Sequence, residues 1–167
     1  MTVNVRRAEP RDAPALVELA ESVGSEPEGW LIASGEWRSA ADERRYLRAV
    51  RRHLHAAVFV AEDEGAIVGR LSIARDPHPA SEHVADIGLM VALWRRREGV
   101  GTALMLAAED WARRSGISKV ELHVFPYNEP AIGFYRRLGY LEEGLRRRHY
   151  RRGVDLLDAV LMAKELA

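Results

Sequence analysis

The chain has 167 residues, enough for one domain with a sizeable core, and its 47% apolar and 30% charged content is that of a soluble globular protein. Lys and Arg number 25 and Asp and Glu number 25, so no net field draws the molecule to nucleic acid or to an anionic membrane. With no cysteine there is no disulfide, thiolate nucleophile or cysteine-ligated metal. The opening MTVNVRRAEP lacks the apolar core of a signal peptide, and no apolar run is long enough to span a bilayer, so a cytoplasmic protein is expected.

Val3 to Arg7 alternates as a first strand. Asp12 is placed to cap the next helix, with Pro14 in its first turn, Leu16, Leu19, Ala20 and Val23 as its buried stripe, and Gly24 as its stop. Residues 24–38 are irregular, rich in Gly and Glu, and carry Trp30 and Trp37. Two tryptophans in such a loop can wall a substrate site or plug the loop onto the core. Glu26, Glu28 and Glu36 beside them would suit a cationic acceptor flanked by aromatics, or are simply solvated. Ser39 to Leu54 is predicted helical, with Leu47, Val50 and Leu54 in line and arginines opposite.

Ala56 to Ala61 and Ala66 to Ala74 form a hairpin around Glu62-Asp63-Glu64-Gly65, and Pro77 and Pro79 make the following segment a loop. Glu82 to Leu93 is the third strand of this meander. It leads through Trp94 and an arginine cluster into Arg96-Arg97-Glu98-Gly99-Val100-Gly101-Thr102, and directly into a helix with Val100, Leu104, Ala107 or Ala108 and Trp111 on its apolar stripe. Glu109, Arg113 and Arg114 lie off that stripe. Strand, glycine turn and helix start together make an anion site, because the first helical turn leaves N–H groups unpaired and the helix dipole adds positive potential. No Gly-Lys-Ser or Gly-Lys-Thr follows, which excludes a Walker A loop, and Leu104 stands where a dinucleotide fingerprint needs its third glycine. What remains is Arg-x-x-Gly-x-Gly between a strand and a helix, a cradle for a diphosphate.

Val120 to Phe125 is the next strand. Asn128 caps a helix with Pro130 in its first turn and Ile132, Tyr135 and Leu138 on one face, and Gly139 ends it. Tyr140-Leu141 opens a strand and Leu156 to Met162 gives the last. The order β-α-α-β-β-β-α-β-α-β-β describes one mixed α/β domain spanning residues 1–167. His53-x-His55 and Asp76-x-His78 lack a third convergent ligand, so no metal site is expected.

The Arg-x-x-Gly-x-Gly cradle, followed at the right distance by Asn128-x-x-Ala131-Ile132-x-Phe134-Tyr135-x-x-x-Gly139-Tyr140, resembles the paired motifs of the GNAT (GCN5-related N-acetyltransferase) superfamily. The opening Arg7-Ala8-Glu9-Pro10-Arg11-Asp12 is also similar to that family's first strand and helix, so the resemblance covers nearly the whole chain. It implies a central mixed sheet of about six to seven strands flanked by helices. The sheet would splay open between the strand ending near Leu93 and Val120 to Phe125, with acetyl-coenzyme A held in the gap. It further implies a backbone N–H near Val91, at a bulge following Leu89 and Met90, for the thioester carbonyl. Arg96 to Thr102 would hold the pyrophosphate, and Asn128 would reach the pantetheine arm, with Ala131 and Phe134 nearby. Tyr135 would be the acid that protonates the departing thiolate. Glu98 departs from the pattern, since a carboxylate beside a diphosphate repels it.

For the base, His123 occupies the strand beside the gap, where some members carry a glutamate; a packed sheet histidine is an equal reading, and Asp86, His83 or a water relay are rivals. The resemblance thus implies acetyl transfer to a primary amine of a small molecule such as an amino acid or polyamine, by direct transfer in a ternary complex and without an acyl-cysteine. It leaves room for a homodimer. A protein N-terminal acetyltransferase and a non-catalytic acyl-coenzyme A-binding module are the alternatives. Zero net charge and the lack of an aromatic-interleaved basic face disfavour nucleic acid as a partner.

Overall fold

The computed structural model describes residues 2–33 and 37–167. Its elements run β1 (Asn4–Arg7), α1 (Ala13–Gly24), α2 (Ala40–Arg52), β2 (Ala56–Asp63), β3 (Ala66–Arg75), β4 (Val84–Val91), α3 (Val100–Arg114), β5 (Lys119–Val124), α4 (Glu129–Arg137), β6 (Leu141–Arg152) and β7 (Asp155–Glu165). The strands make one seven-stranded sheet of order β1-β2-β3-β4-β5-β7-β6. Every pairing is antiparallel except the central one, β4 with β5. This is the mixed α/β domain that the element order predicts. Among the described residues no helix is long and apolar enough to cross a membrane.

Helices cover both faces of the sheet. Ala13 and Leu16 of α1 and Leu47 and Val50 of α2 close over Val58 and Val60 of β2. On the other face α3 lies so close to β3 that a Cβ on Gly69 would stand 2.8 Å from Leu104 Cδ1 and 3.1 Å from Val100 Cγ1. The cradle helix is therefore seated directly on the strand backbone, at a place where any side chain would lift it.

Several elements differ from the sequence reading, each for a physical reason. Asp12 precedes α1 but does not cap it. Its carboxylate accepts the Glu9 N–H at 2.7 Å and two bonds from the Arg6 guanidinium at 2.8 and 2.9 Å, closing a short 3-10 turn instead. α2 stops at Arg52, leaving Leu54 exposed rather than in line with Leu47 and Val50. The first hairpin is tighter than its four polar residues suggest, because Glu64 (φ 48°) and Gly65 (φ 84°) alone make the turn and Glu62 and Asp63 stay in β2. β4 starts at Val84 and ends at Val91, with Leu93–Arg95 forming a 3-10 turn.

Glu109 of α3 is buried, not solvated. The Tyr140 hydroxyl donates to it at 3.1 Å and Lys164 Nζ donates at 3.0 and 3.1 Å, so the carboxylate is paired inside the core. Tyr140 itself is fully buried ahead of β6. The final hairpin is much longer than its apolar residues indicate, since β6 faces solvent along nearly its whole length and shows no alternation.

Candidate active site

β4 and β5 pair at only three positions, Val84 with Lys119, Ala85 with Val120 and Asp86 with Glu121, and then part. The predicted opening is therefore present, and it exposes backbone donors. Ala92 N–H donates to Val68 O on β3, while the His83 carbonyl accepts from Ser118 and Lys119 on the β5 side. Backbone groups alternate between the two edges of a strand, so the Leu89 and Val91 N–H groups point into the gap, beyond the reach of β5. The bulge expected here is absent: β4 keeps unbroken register with β3 from Ala85 to Val91. Strand parting alone frees these donors.

At the end of β4 the chain turns into α3 through Gly99, whose φ of 87° is a left-handed conformation that a side chain disfavours. Gly99 has no side chain to cap the helix, and Ala103 is the first residue whose N–H finds an intrahelical partner, the Gly99 carbonyl at 3.0 Å. The N–H groups of the first turn have no partner within the helix, the arrangement that suits an anion. Gly101 has a different task. A Cβ there would stand 3.0 Å from Phe134 Cζ and 3.7 Å from Leu89 Cδ2, so its bareness lets α4 pack against the start of α3.

The charges around this turn are distributed differently from the motif's reading. Arg95, buried, forms ion pairs with Asp63 and with Glu98. Glu98 is thereby compensated, and neither its side chain nor that of buried Val100 lines the cleft. Arg96 lines the cleft but is also engaged: Nη1 and Nη2 lie 2.9 Å from the two carboxylate oxygens of Glu26, and Nε donates to Val91 O at 3.0 Å. Arg96 thus ties the loop after α1 to the end of β4. The guanidinium left over is that of Arg97, exposed on the cleft with φ 62° and without an ion-pair partner among the described residues. Arg137 of α4, missed in the sequence, joins it on the cleft wall and lies beside Gly133.

The second motif comes to the same place. Asn128 caps α4 as predicted, its Oδ1 accepting the Ala131 N–H at 3.3 Å, which leaves its amide N–H groups for the cleft. Ala131, Phe134 and Tyr135 line the cleft with it, opposite Leu89, Met90 and Val91. Tyr135 is buried, and burial pushes its phenol well above the ordinary range. Its hydroxyl has no hydrogen-bond partner among the described residues.

Beyond Tyr135 the cleft, about 940 Å³ in all, widens into a chamber between the sheet and the loop after α1. Trp30 and Trp37 both line it, Trp30 stacked on Tyr127 at 5.9 Å between ring centroids. His123 is there, with its Nδ1 2.6 Å from the Tyr150 hydroxyl and its ring against His149. Burial, Arg146 and His149 lower its pKa, so it is neutral at neutral pH. Asp86 faces the chamber mouth with Glu121 beside it. Partial enclosure by the cleft walls and that second carboxylate raise its pKa to about 6. His83 lies outside, exposed ahead of β4 with its carbonyl holding β5, and takes no part in the chamber. Of the two readings of the loop glutamates, an acidic wall or solvated side chains, the described residues give no acidic wall. Glu26 belongs to Arg96 and Glu28 is solvated away from the cleft, while Glu36 lies outside the described residues. Arg70, Ser72 and Tyr150 are chamber residues that the motifs do not mark.

A parted mixed sheet with a glycine-led helix start at its opening is the architecture of an acyltransferase fold. Residues 19–140 match the model of the Acetyltransferase (GNAT) family, and the chain belongs to that family, whose members are acyltransferase enzymes. The L-amino acid N-acetyltransferase AaaT of Escherichia coli (strain K12) is 36% identical over 111 residues, covering 64% of this chain and 66% of that relative, so the match falls just short of two thirds of its length. The acetyltransferase of GNAT family from Streptococcus pneumoniae superposes with a TM-score of 0.88 at 25% identity, over 99% of this chain and 100% of that one. The structure of yncA from Salmonella typhimurium with its cofactor acetyl-CoA superposes with a TM-score of 0.87 at 19% identity, over 100% and 95% of the two chains, and shows the shared fold.

Proposed function

We propose that the protein transfers an acetyl group from acetyl-coenzyme A to the primary amine of a small molecule, by direct transfer with both substrates bound. The observation that carries this reading is one continuous cleft joining the unpaired N–H groups of α3 to the Tyr135 hydroxyl and the Asp86 carboxylate. The residues fit the cosubstrate: first-turn N–H groups with Arg97 and Arg137 would take its diphosphate, and the Leu89 and Val91 N–H groups and the Asn128 amide its pantetheine arm and thioester carbonyl. The likeness to a structure that contains acetyl-CoA supports the same assignment. Acetyl-coenzyme A supplies an activated thioester. Asp86 takes a proton from the acceptor's ammonium so that a lone pair is available, and Tyr135 donates a proton at the leaving sulfur. The aromatic-walled chamber suits a small acceptor, in keeping with a relative named for L-amino acids.

We assign the base to Asp86, which lines the cleft with its carboxyl raised to about 6, ahead of His123. An Asp86 carboxyl near 6 must lose its proton to act, so kcat/KM rises with pH through about 6 and is about tenfold below its plateau one unit lower. Asp86→Asn lowers the plateau by about 100-fold and removes this acid limb, whereas His123→Gln keeps it. The reverse pattern in pH profiles would hand the role to His123. The function itself is tested by a thiol-release screen with amino acids, polyamines, aminoglycosides and short peptides. Peptides with free N-termini outpacing every small amine would replace the small-molecule reading. Binding of acetyl-coenzyme A without turnover of any acceptor would leave only a non-catalytic acyl-coenzyme A-binding module.

A further inference from the structure

Arg70 is a charged residue inside the central sheet, almost completely buried yet on the wall of the acceptor chamber. Its surroundings hold one more positive charge than negative. Glu43 of α2, fully buried, lies 3.6 Å from Arg70 Nη2 and 2.9 Å from Arg38 Nη1, so two guanidinium groups share one carboxylate. Both guanidinium groups stand over the Trp37 ring, at 5.1 Å for Arg38 and 5.3 Å for Arg70. Among the described residues, two N–H donors in this cluster, Arg70 Nε and Trp37 Nε1, are buried without a hydrogen-bond partner, as is one acceptor, Glu43 Oε1. A buried donor left unpaired is costly, and it is tolerated where a ligand supplies the acceptor. Arg70 and Trp37, each with an orphaned donor, line the chamber, and Arg38 and Glu43 behind them leave the cluster one positive charge in excess, which describes a place for an anion.

The opposite end of the same floor carries the negative group. In the β3–β4 register Arg70 stands opposite Met90, Ser72 opposite Gly88 and Ala74 opposite Asp86, so Arg70, Ser72 and Asp86 share one face of the sheet. Gly88 puts no side chain between them, and the Ser72 hydroxyl fills only part of that space. A ligand lying there meets a cationic wall at one end and a carboxylate at the other.

We propose that the acceptor is a free amino acid whose carboxylate is received by Arg70 and Trp37 while its amine faces Asp86. This rests on the acetyltransferase reading and narrows it, since a polyamine would bring a second cation against the excess charge of Arg38 and Arg70.

The test compares, in the wild-type enzyme, thiol release from a panel of L-amino acids with release from their carboxamides and from spermidine. The amine of a carboxamide is less basic and so more available at neutral pH, which means unaided chemistry favours the amide. The expected result is the opposite, kcat/KM for the best acid exceeding that for its amide and for spermidine by about 100-fold or more. Trp37→Phe, which keeps the packing and removes one donor, raises KM for the amino acid by about tenfold with little change in kcat or in KM for acetyl-coenzyme A. Arg70→Met, with folding checked by circular dichroism, brings the acid-to-amide ratio towards one. Amides or spermidine turned over by the wild type as well as acids would overturn the proposal and leave the acetyltransferase standing. No turnover of acids, amides or spermidine, with acetyl-coenzyme A bound, would overturn the acetyltransferase reading and this one with it.

Discussion

Tyr135→Phe lowers kcat by about 100-fold, close to 2.7 kcal/mol in the barrier, and leaves acetyl-coenzyme A affinity nearly unchanged. Only an oxygen and its proton are removed. The ring keeps its edge contacts with Phe134 at 5.2 Å and Tyr140 at 5.9 Å, so the wall of the cleft stays in place. No protein group is orphaned, because the hydroxyl has no partner among the described residues, and the fold therefore survives. The same burial that lifts this phenol keeps it protonated across the working pH range, which suits a donor to a departing thiolate. Steady-state kinetics beside calorimetric titration of the cosubstrate separate the two effects. Full activity in the variant would mean that the sulfur leaves without this proton.

Gly101→Glu abolishes acetyl-coenzyme A binding in a protein that still folds. The first-turn position places the new carboxylate among the unpaired N–H groups of α3, where it competes with the diphosphate for the same donors and repels its charge. The same favourable contact with the helix start keeps the variant folded. A second contribution is steric: the new Cβ meets Phe134 Cζ at 3.0 Å, so the ring must shift by a few tenths of an ångström. Gly101→Ala isolates that contribution and weakens binding far less. Calorimetry showing wild-type affinity in a folded Gly101→Glu variant would remove the cradle from the binding site.

The fold was legible because its punctuation is local. Pro14, Gly24, Gly99, Asn128 and Gly139 mark helix ends through backbone conformation and capping, which neighbouring residues determine. Tertiary partners were not legible. Asp12 has the chemistry of a cap and is claimed by Arg6, and Glu109 looks like a solvated helix residue until Tyr140 and Lys164 close over it. At the site, the motifs brought Arg97, Asn128 and Tyr135 to one cleft but could not show that Arg96 is tied to Glu26, 70 residues away. Arg70 did leave a trace, as the lone charge between apolar neighbours in AIVGRLSIA. Reading it as more than a strand residue required knowing that Glu43 and Trp37 meet it from another element.

The parting of β4 from β5 after three residue pairs is an omission with two products. Had the strands stayed zipped, Leu89 and Val91 would have donated to their neighbour and the interior would be closed. Cutting the ladder short opens a slot through the middle of the sheet and lines one lip with amide donors in strand geometry. An extended chain carrying its own amides can lie in that slot as an eighth strand would, restoring the interrupted hydrogen bonding with atoms that are not protein.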